Sequence, residues 1–157
     1  MGNGMEGSNV ETPLLYDESH HYEPEWIQEE QPGRSKVTNF TDLRVWQASM
    51  DLAERVYRLT WHFPRQEQYG LSSQLQRSVV SVASNIAEGH ARNQSGDFLR
   101  FLAIARGSAA EVKTQIMLAQ RLDYIDPITG TELLAQIDMI LRQLTALRTS
   151  IERYNSR

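Results

Sequence analysis

The sequence predicts an all-α protein, an antiparallel up-down four-helix bundle that follows a disordered acidic N-terminal tail. Apolar residues recur every three or four positions in four long segments, which is the spacing of one buried helix face. Short polar runs that contain Gly, Pro or Asp separate these segments. No segment alternates like a half-buried strand. Long helices joined by short connections typically pack as a bundle.

Residues 1–38 form a segment that is set apart by its charge. They hold eight acids and two bases, a net charge of −6, whereas residues 39–157 carry a net charge of +2. The segment has no helical or strand period and is rich in Gly, Pro, Ser and acids, a composition that predicts disorder. Tyr16, Tyr22 and Trp26 leave a second interpretation open, in which this segment docks on a partner or on the body of the chain.

The first two helices are predicted over about residues 42–62 and 71–91. Thr41 is a candidate N-cap for helix one, and Pro64 ends that helix near His62. The predicted core faces consist of Val45, Ser49, Leu52, Val56, Leu59 and Phe63 in helix one, and of Leu71, Leu75, Val79, Val82 and Ile86 in helix two.

Helices three and four are predicted over about residues 96–122 and 130–154. Ser95 is a candidate cap for helix three, and Thr129 with Glu132 matches a capping box for helix four. The predicted core faces consist of Phe98, Leu102, Ala105, Ala109, Val112, Ile116 and Ala119 in helix three, and of Leu133, Ile137, Ile140, Leu144, Leu147 and Ile151 in helix four.

Small and polar residues beside these faces predict helix–helix contacts. Ser78, Ser81 and Asn85 lie on one shoulder of helix two and are expected to form a structural polar cluster that fixes the register of the helices. A ligand contact at the end of helix two is the alternative. Gly107, in the middle of helix three, costs about 1 kcal/mol relative to Ala and is expected to permit close approach of two backbones.

Several classes of site are not expected from the sequence. There is no Cys, which excludes disulfides and thiolate chemistry. A di-iron bundle needs two Glu-x-x-His pairs, and the single pair here is Glu18 with His21 in the acidic tail. No His is spaced to serve a nucleophilic Ser, so we expect no catalytic residue, no metal and no cofactor. The absence of an 18-residue apolar stretch and of an apolar signal core predicts a cytoplasmic protein with no membrane segment.

Basic residues of helices two and three are the candidates for a binding function. Residues 55–121 hold nine bases and four acids, and eight of the nine bases are Arg, whose planar fork suits phosphate. The predicted nucleic-acid-binding residues are Arg77, Arg92, Arg100, Arg106 and Lys113. A solvated face with scattered ion pairs is the alternative. Because no recognition-helix motif is present, sequence-specific readout is not expected.

Five motifs follow one another along the chain: Phe40-Thr-Asp-Leu-Arg-Val-Trp46-Gln47, Phe63-Pro64, Glu67-Gln-Tyr-Gly-Leu71, Asn85-Ile-Ala-Glu-Gly89, and Phe101-Leu-Ala-Ile-Ala-Arg-Gly-Ser108 with Glu111. In this order and spacing, across about residues 40–154, the chain resembles the four-helix-bundle proteins encoded within intervening sequences of bacterial 23S ribosomal RNA genes. Related bundles include the accessory variability proteins of diversity-generating retroelements.

The resemblance implies a homopentameric barrel of bundles with a basic surface. In the retroelement relatives it also implies binding of nucleic acid and of a reverse transcriptase. The expected function is therefore a non-catalytic oligomeric scaffold that binds RNA or DNA, with a reverse transcriptase as a candidate partner. A structural or protein-interaction bundle with no nucleic-acid role is the alternative, and an enzyme is a third class.

Self-association is also expected from apolar residues outside the core faces. A single bundle of this size is not expected to bury all five of the following side chains: Trp46, Tyr57, Trp61, Phe101 and Met117.

Overall fold

The computed structural model describes residues 39–92 and 94–156, which contain four long α-helices. The helices are α1 (Arg44–Thr60), α2 (Leu71–Ala91), α3 (Ser95–Arg121) and α4 (Pro127–Asn155). Short 3₁₀ turns at Phe40–Asp42 and Arg65–Glu67 precede α1 and α2. No strand occurs within the described ranges, and the predicted all-α class is confirmed. The predictions for residues 1–38 lie outside these ranges.

Consecutive helices run antiparallel, and each helix packs against its two neighbours in an up-down bundle. Between α2 and α3, Ser78 contacts Gln115 and Ser81 contacts Ser108, so the position rises along one helix and falls along the other. The same reversal appears between α3 and α4, through the contacts of Gln120 with Gly130 and of Lys113 with Asp138. α1 contacts α4 through Arg55 and Glu132.

The core lies along the central axis and is built from the predicted faces of all four helices. Every residue of those faces is buried except Leu59 and Phe98, which are half-buried and pack against the core. Full burial of a Leu or Ile side chain contributes about 1.5–3 kcal/mol, so these stripes dominate the stability of the bundle. Ser49 is accommodated in the stripe of α1 because its Oγ donates to the carbonyl of Val45 over 2.6 Å.

The starts of α1 and α3 differ from the capping predictions. Thr41 does not cap α1, because it lies inside the preceding 3₁₀ turn and donates its backbone N–H to the side chain of Asn39 over 3.1 Å. Leu43 precedes α1 without a side-chain cap. Ser95 is the first residue of α3 rather than its cap, and Gln94 precedes that helix without a capping hydrogen bond. The predicted caps were wrong at both helices.

The start of α4 lies three residues before the predicted one. Asp126 is the N-cap, and its Oδ1 accepts the backbone N–H groups of Ile128 and Thr129 over 3.1 and 2.9 Å. Pro127 occupies the first turn, where its missing N–H costs no hydrogen bond. The predicted capping box of Thr129 and Glu132 was wrong because a better acceptor stands three residues earlier.

The close approach between α2 and α3 occurs at Gly89 and not at Gly107. A Cβ on Gly107 would meet no atom within 4 Å, so the expected contact at this residue was wrong. A Cβ on Gly89 would lie 2.6 Å from Cβ of Phe101 and 2.9 Å from the ring of Phe98. Phe101 is therefore buried within one chain, although it lies outside the predicted core face of α3.

Other apolar side chains outside the core faces remain at the surface. Trp46 is half-buried against Phe40, with ring centroids 5.3 Å apart, whereas Tyr57, Trp61 and Met117 are exposed. No described helix is both long and apolar enough to cross a bilayer.

Candidate nucleic-acid interface

The predicted basic residues divide into three groups on the bundle. Arg92 and Arg100 both lie against the ring of Phe101, with guanidinium carbons 5.4 and 5.2 Å from its centroid. Arg77 projects from the exposed side of α2. Arg106 and Lys113 share a shoulder of α3, about 10 Å apart along the helix, because seven residues make almost two turns. The structure therefore does not bring all five bases into one patch.

Packing holds the Arg92–Arg100 pair at the end of the bundle where α2 stops and α3 begins. Gly89 lets α3 approach α2, and Phe101, next to Arg100 on α3, lies against Gly89 with both guanidiniums over its ring. Arg92 is also bound to Glu88 over 2.7 Å. The hydrogen bond from Arg92 to this carboxylate and the negative charge of Glu88 raise the pKa of the Arg92 guanidinium above its ordinary value. Arg100 makes no ion pair with any residue in the described ranges.

Lys113 takes part in a bond between helices. Its Nζ lies 2.6 Å from Oδ1 of Asp138 on α4, and both side chains are only about 35–41% exposed. The positive charge of Lys113 is therefore partly compensated within the chain. Arg106 and Arg77 are exposed and have no hydrogen bond or ion pair to another residue of the described part of the chain.

The predicted polar cluster contacts α3 through Ser78 and Ser81, and Asn85 lies beside Ser81 on α2. Ser78 Oγ lies 2.7 Å from Oε1 of Gln115, and Ser81 Oγ lies 2.9 Å from Oγ of Ser108. Asn85 donates to the carbonyl and the hydroxyl of Ser81 over 2.7 and 3.0 Å, so its hydrogen bonds stay within α2. These bonds satisfy polar groups of the seam.

Sequence reasoning did not identify the partners of this polar cluster. Gln115 is buried and donates to Glu111 over 3.0 Å, which links the seam to the outer side of α3. Both Gln115 and Ser108 lie beside the apolar face of α3, next to Ile116 and Ala109. Helical periodicity alone therefore marks them as shoulder residues, and their partners depend on how α2 is rotated.

An aromatic cluster at the same end of the bundle as the Arg92–Arg100 pair was also missed. The ring of Phe40 lies 6.5 Å from that of His90, and His90 lies 5.8 Å from Phe98 in an edge-to-face contact. The aromatic residues of the first sequence motif were a signal for this cluster. The contacts bring the start of the described chain to the end of α2.

A shallow open depression at the C-terminus of α4 is lined by Thr149, Glu152, Arg153 and Ser156. Residues 39–92 and 94–156 contain no group of three or more acidic or His side chains placed to hold a metal ion.

Comparison with known proteins identifies the family. The profile of the 23S rRNA-intervening sequence proteins matches residues 41–146. A solved structure of a protein of unknown function from the S23 ribosomal protein family of Bacteroides thetaiotaomicron is 26% identical, with a TM-score of 0.60. The match covers 66% of this chain and 90% of that protein. No curated protein matches the chain. The chain belongs to the family of 23S rRNA-intervening sequence proteins.

Proposed function

We propose that the protein is a non-catalytic oligomeric scaffold that binds RNA or DNA through phosphate contacts from α2 and α3. The proposal is carried by the exposure of Arg77, Arg100 and Arg106, none of which makes an ion pair with a described residue. An arginine without a carboxylate partner can exchange its counterions for a phosphate oxygen, and released counterions supply most of the affinity. Because the contacts are with the backbone, binding depends little on sequence.

Self-association would strengthen nucleic-acid binding, because a ring repeats the same arginines several times on one surface. We propose a homopentamer, as the family resemblance implies. Exposed apolar side chains of α3 support self-association, since Ile104, Met117, Leu118 and Leu122 are each 44–47% exposed. A reverse transcriptase of a diversity-generating retroelement is the proposed larger partner. This step rests on the resemblance to accessory variability proteins. A cytoplasmic location is part of the same proposal.

The test replaces the three arginines without carboxylate partners by a neutral residue of similar helix propensity. The variant Arg77→Gln, Arg100→Gln and Arg106→Gln is compared with wild type in binding to structured RNA and to duplex DNA across a salt series. Each lost phosphate contact on DNA reduces the slope of log K against log salt by about 0.9. We expect weaker binding and a flatter slope, with unchanged helicity and oligomer mass.

A matched control separates a binding surface from a general effect of net charge. The variant Arg65→Gln, Arg121→Gln and Arg142→Gln removes the same charge from other parts of the bundle. Equal losses in both triple variants would contradict a specific role for Arg77, Arg100 and Arg106. Phosphate contacts are strong at ~50 mM salt. The nucleic-acid function would be rejected if neither wild type nor a full chain with the acids of residues 1–38 replaced by amides binds at this salt concentration.

The alternative function is that of a protein-interaction bundle with no nucleic-acid role. The exposed apolar face of α3 favours this alternative, because such faces mark protein contacts when they are contiguous. It becomes the better account if the binding series fails while self-association persists.

A further inference from the structure

The described chain begins at the same end of the bundle as the Arg92–Arg100 pair. The ring of Phe40 contacts that of His90 edge to face, with centroids 6.5 Å apart, and His90 lies two residues before Arg92. His90 in turn makes an edge-to-face contact with Phe98, which lies two residues before Arg100. Asn39, the first described residue, therefore lies at the same end of the bundle as this pair of guanidiniums.

The charge of the bundle is also uneven along its axis. When each helix is divided at its midpoint, the half nearest Asn39 has seven bases and five acids, a net charge of +2. The other half has six bases and seven acids, a net charge of −1. The N-terminal segment, with its net charge of −6, is attached to the half that carries the opposite charge.

The acids nearest the attachment point can reach the arginine pair. Glu29 and Glu30 precede Asn39 by ten and nine residues, and n residues span at most about 3.3–3.6 Å × n. Their reach is thus about 30–36 Å, whereas the 27 residues of α3 extend for about 40 Å. These acids reach the near end of the bundle easily, and a short closed loop carries a small entropic cost.

The arginine pair is suited to receive additional carboxylates. Glu88 binds Arg92, and Asp97 lies in the first turn of α3, so two acids already compensate part of the local charge. Arg100 has no acidic partner in the described ranges. A carboxylate can accept two hydrogen bonds from a guanidinium fork, which is stronger than a neutral hydrogen bond.

We propose that the acidic segment around Glu23, Glu25, Glu29 and Glu30 binds the Arg92–Arg100 end of its own body and competes there with nucleic acid. The competition rests on the proposed nucleic-acid function, whereas the intrachain contact does not. The segment acts as a tethered polyanion, so it weakens binding most at low salt.

Energy transfer within the full chain tests the contact without nucleic acid. The sequence has no Cys, so Gln28→Cys and Gly96→Cys provide two dye sites, and a side chain at Gly96 meets no atom within 4 Å. Salt screens the attraction between the acids and the arginines, so we expect energy transfer to be lower at ~500 mM than at ~50 mM salt. Adding Arg92→Gln and Arg100→Gln should lower transfer at the lower salt concentration.

The control for this experiment is the pair Arg65→Gln and Arg121→Gln, which removes the same charge from the opposite half. It should leave transfer unchanged. Transfer that responds to neither salt nor the Arg92 and Arg100 substitutions would overturn the proposal. The labelled chain is also mixed with an excess of unlabelled chain. If energy transfer is then lost, the acids come from a second copy, and the proposed contact within one chain is overturned.

Competition is tested by neutralising two sets of four acids in the full chain. The near set is Glu23, Glu25, Glu29 and Glu30 replaced by Gln, and the matched distal set is Glu6, Glu11, Asp17 and Glu18 replaced by their amides. The effective concentration of a tethered acid at the arginine pair falls with about the −3/2 power of the tether length. Neutralising the near set should therefore raise the affinity for RNA about threefold more than neutralising the distal set.

Equal gains from the two sets would overturn the competition, because only net charge would then matter. If no form of the chain binds nucleic acid, the proposed function fails, and energy transfer still decides whether the segment contacts the arginine pair.

Discussion

Two glycines in neighbouring helices stand in opposite surroundings, and the contrast can be measured. Gly89 is buried where α2 meets Phe98 and Phe101, whereas Gly107 lies on the exposed side of α3. Both positions are helical, so each glycine loses more backbone entropy on folding than an alanine would at the same position. Only the steric surroundings differ.

We expect Gly107→Ala to stabilise the protein by about 1 kcal/mol through helix propensity, since the new methyl group meets no atom. Gly89→Ala should destabilise it by about 1–3 kcal/mol, because overpacking against Phe101 outweighs the propensity gain. Urea unfolding followed by circular dichroism measures both effects. Stabilisation by both substitutions would show that the α2–α3 seam can expand without cost.

Two buried serines provide a second matched pair. Ser78 Oγ lies 2.7 Å from Oε1 of Gln115, whereas Ser150 Oγ has no hydrogen-bond partner among the described residues. We expect Ser78→Ala to cost about 1–3 kcal/mol, because it leaves the Gln115 oxygen without that partner. Ser150→Ala should be neutral or stabilising. The same unfolding measurement tests the pair, and equal effects would contradict a structural role for the α2–α3 polar cluster.

At the scale of the helix, the N-terminus of α4 depends on a single carboxylate. Asp126 accepts two backbone N–H groups, and Pro127 directs the chain into the first turn. Hydrogen bonding from Thr129, from its side chain first and then its backbone, lowers the pKa of Asp126 below its ordinary value, and the backbone N–H of Ile128 adds to this effect. The stability that this cap gives to the start of α4 should therefore depend on pH.

The stabilisation by Asp126 should be complete above the unfolded pKa of about 3.9. It should disappear as the pH falls through the lower folded pKa, because the cap favours the ionised carboxylate. We expect Asp126→Ala to lower Tm at neutral pH and the difference from wild type to shrink in acid. Asp126→Asn keeps a capping oxygen and should lose this pH dependence. A constant difference across the range would show that the charge of the cap does not contribute.

At the scale of the whole molecule, apolar side chains remain on one outer side of α3. Ile104 and Leu118 are two heptads apart and therefore share a face, and Leu122 follows one turn later. Each is nearly half exposed. Copies of the chain that met through this face in the proposed ring would cover it and would also multiply the arginines.

We therefore expect light scattering to give several times the 18.0 kDa mass of one chain. Leu118→Glu should lower that mass, whereas Ser84→Glu, at an exposed position on α2, should lower it less. A mass of one chain for wild type at micromolar concentration would reject the ring, and the exposed α3 face would then require another partner.

The sequence by itself determined the fold class, the four helices and nearly all of the buried faces. These features follow from the period of apolar residues, because a helix must bury one stripe whatever its neighbours are.

Only the tertiary structure decided which residues meet across helices. It placed the close approach at Gly89 rather than Gly107, paired Lys113 with Asp138, and brought Phe40 to His90 beside the arginine pair. Such contacts depend on the rotation and register of each helix. These are set jointly by packing along the whole bundle, so no local pattern in the sequence contains them.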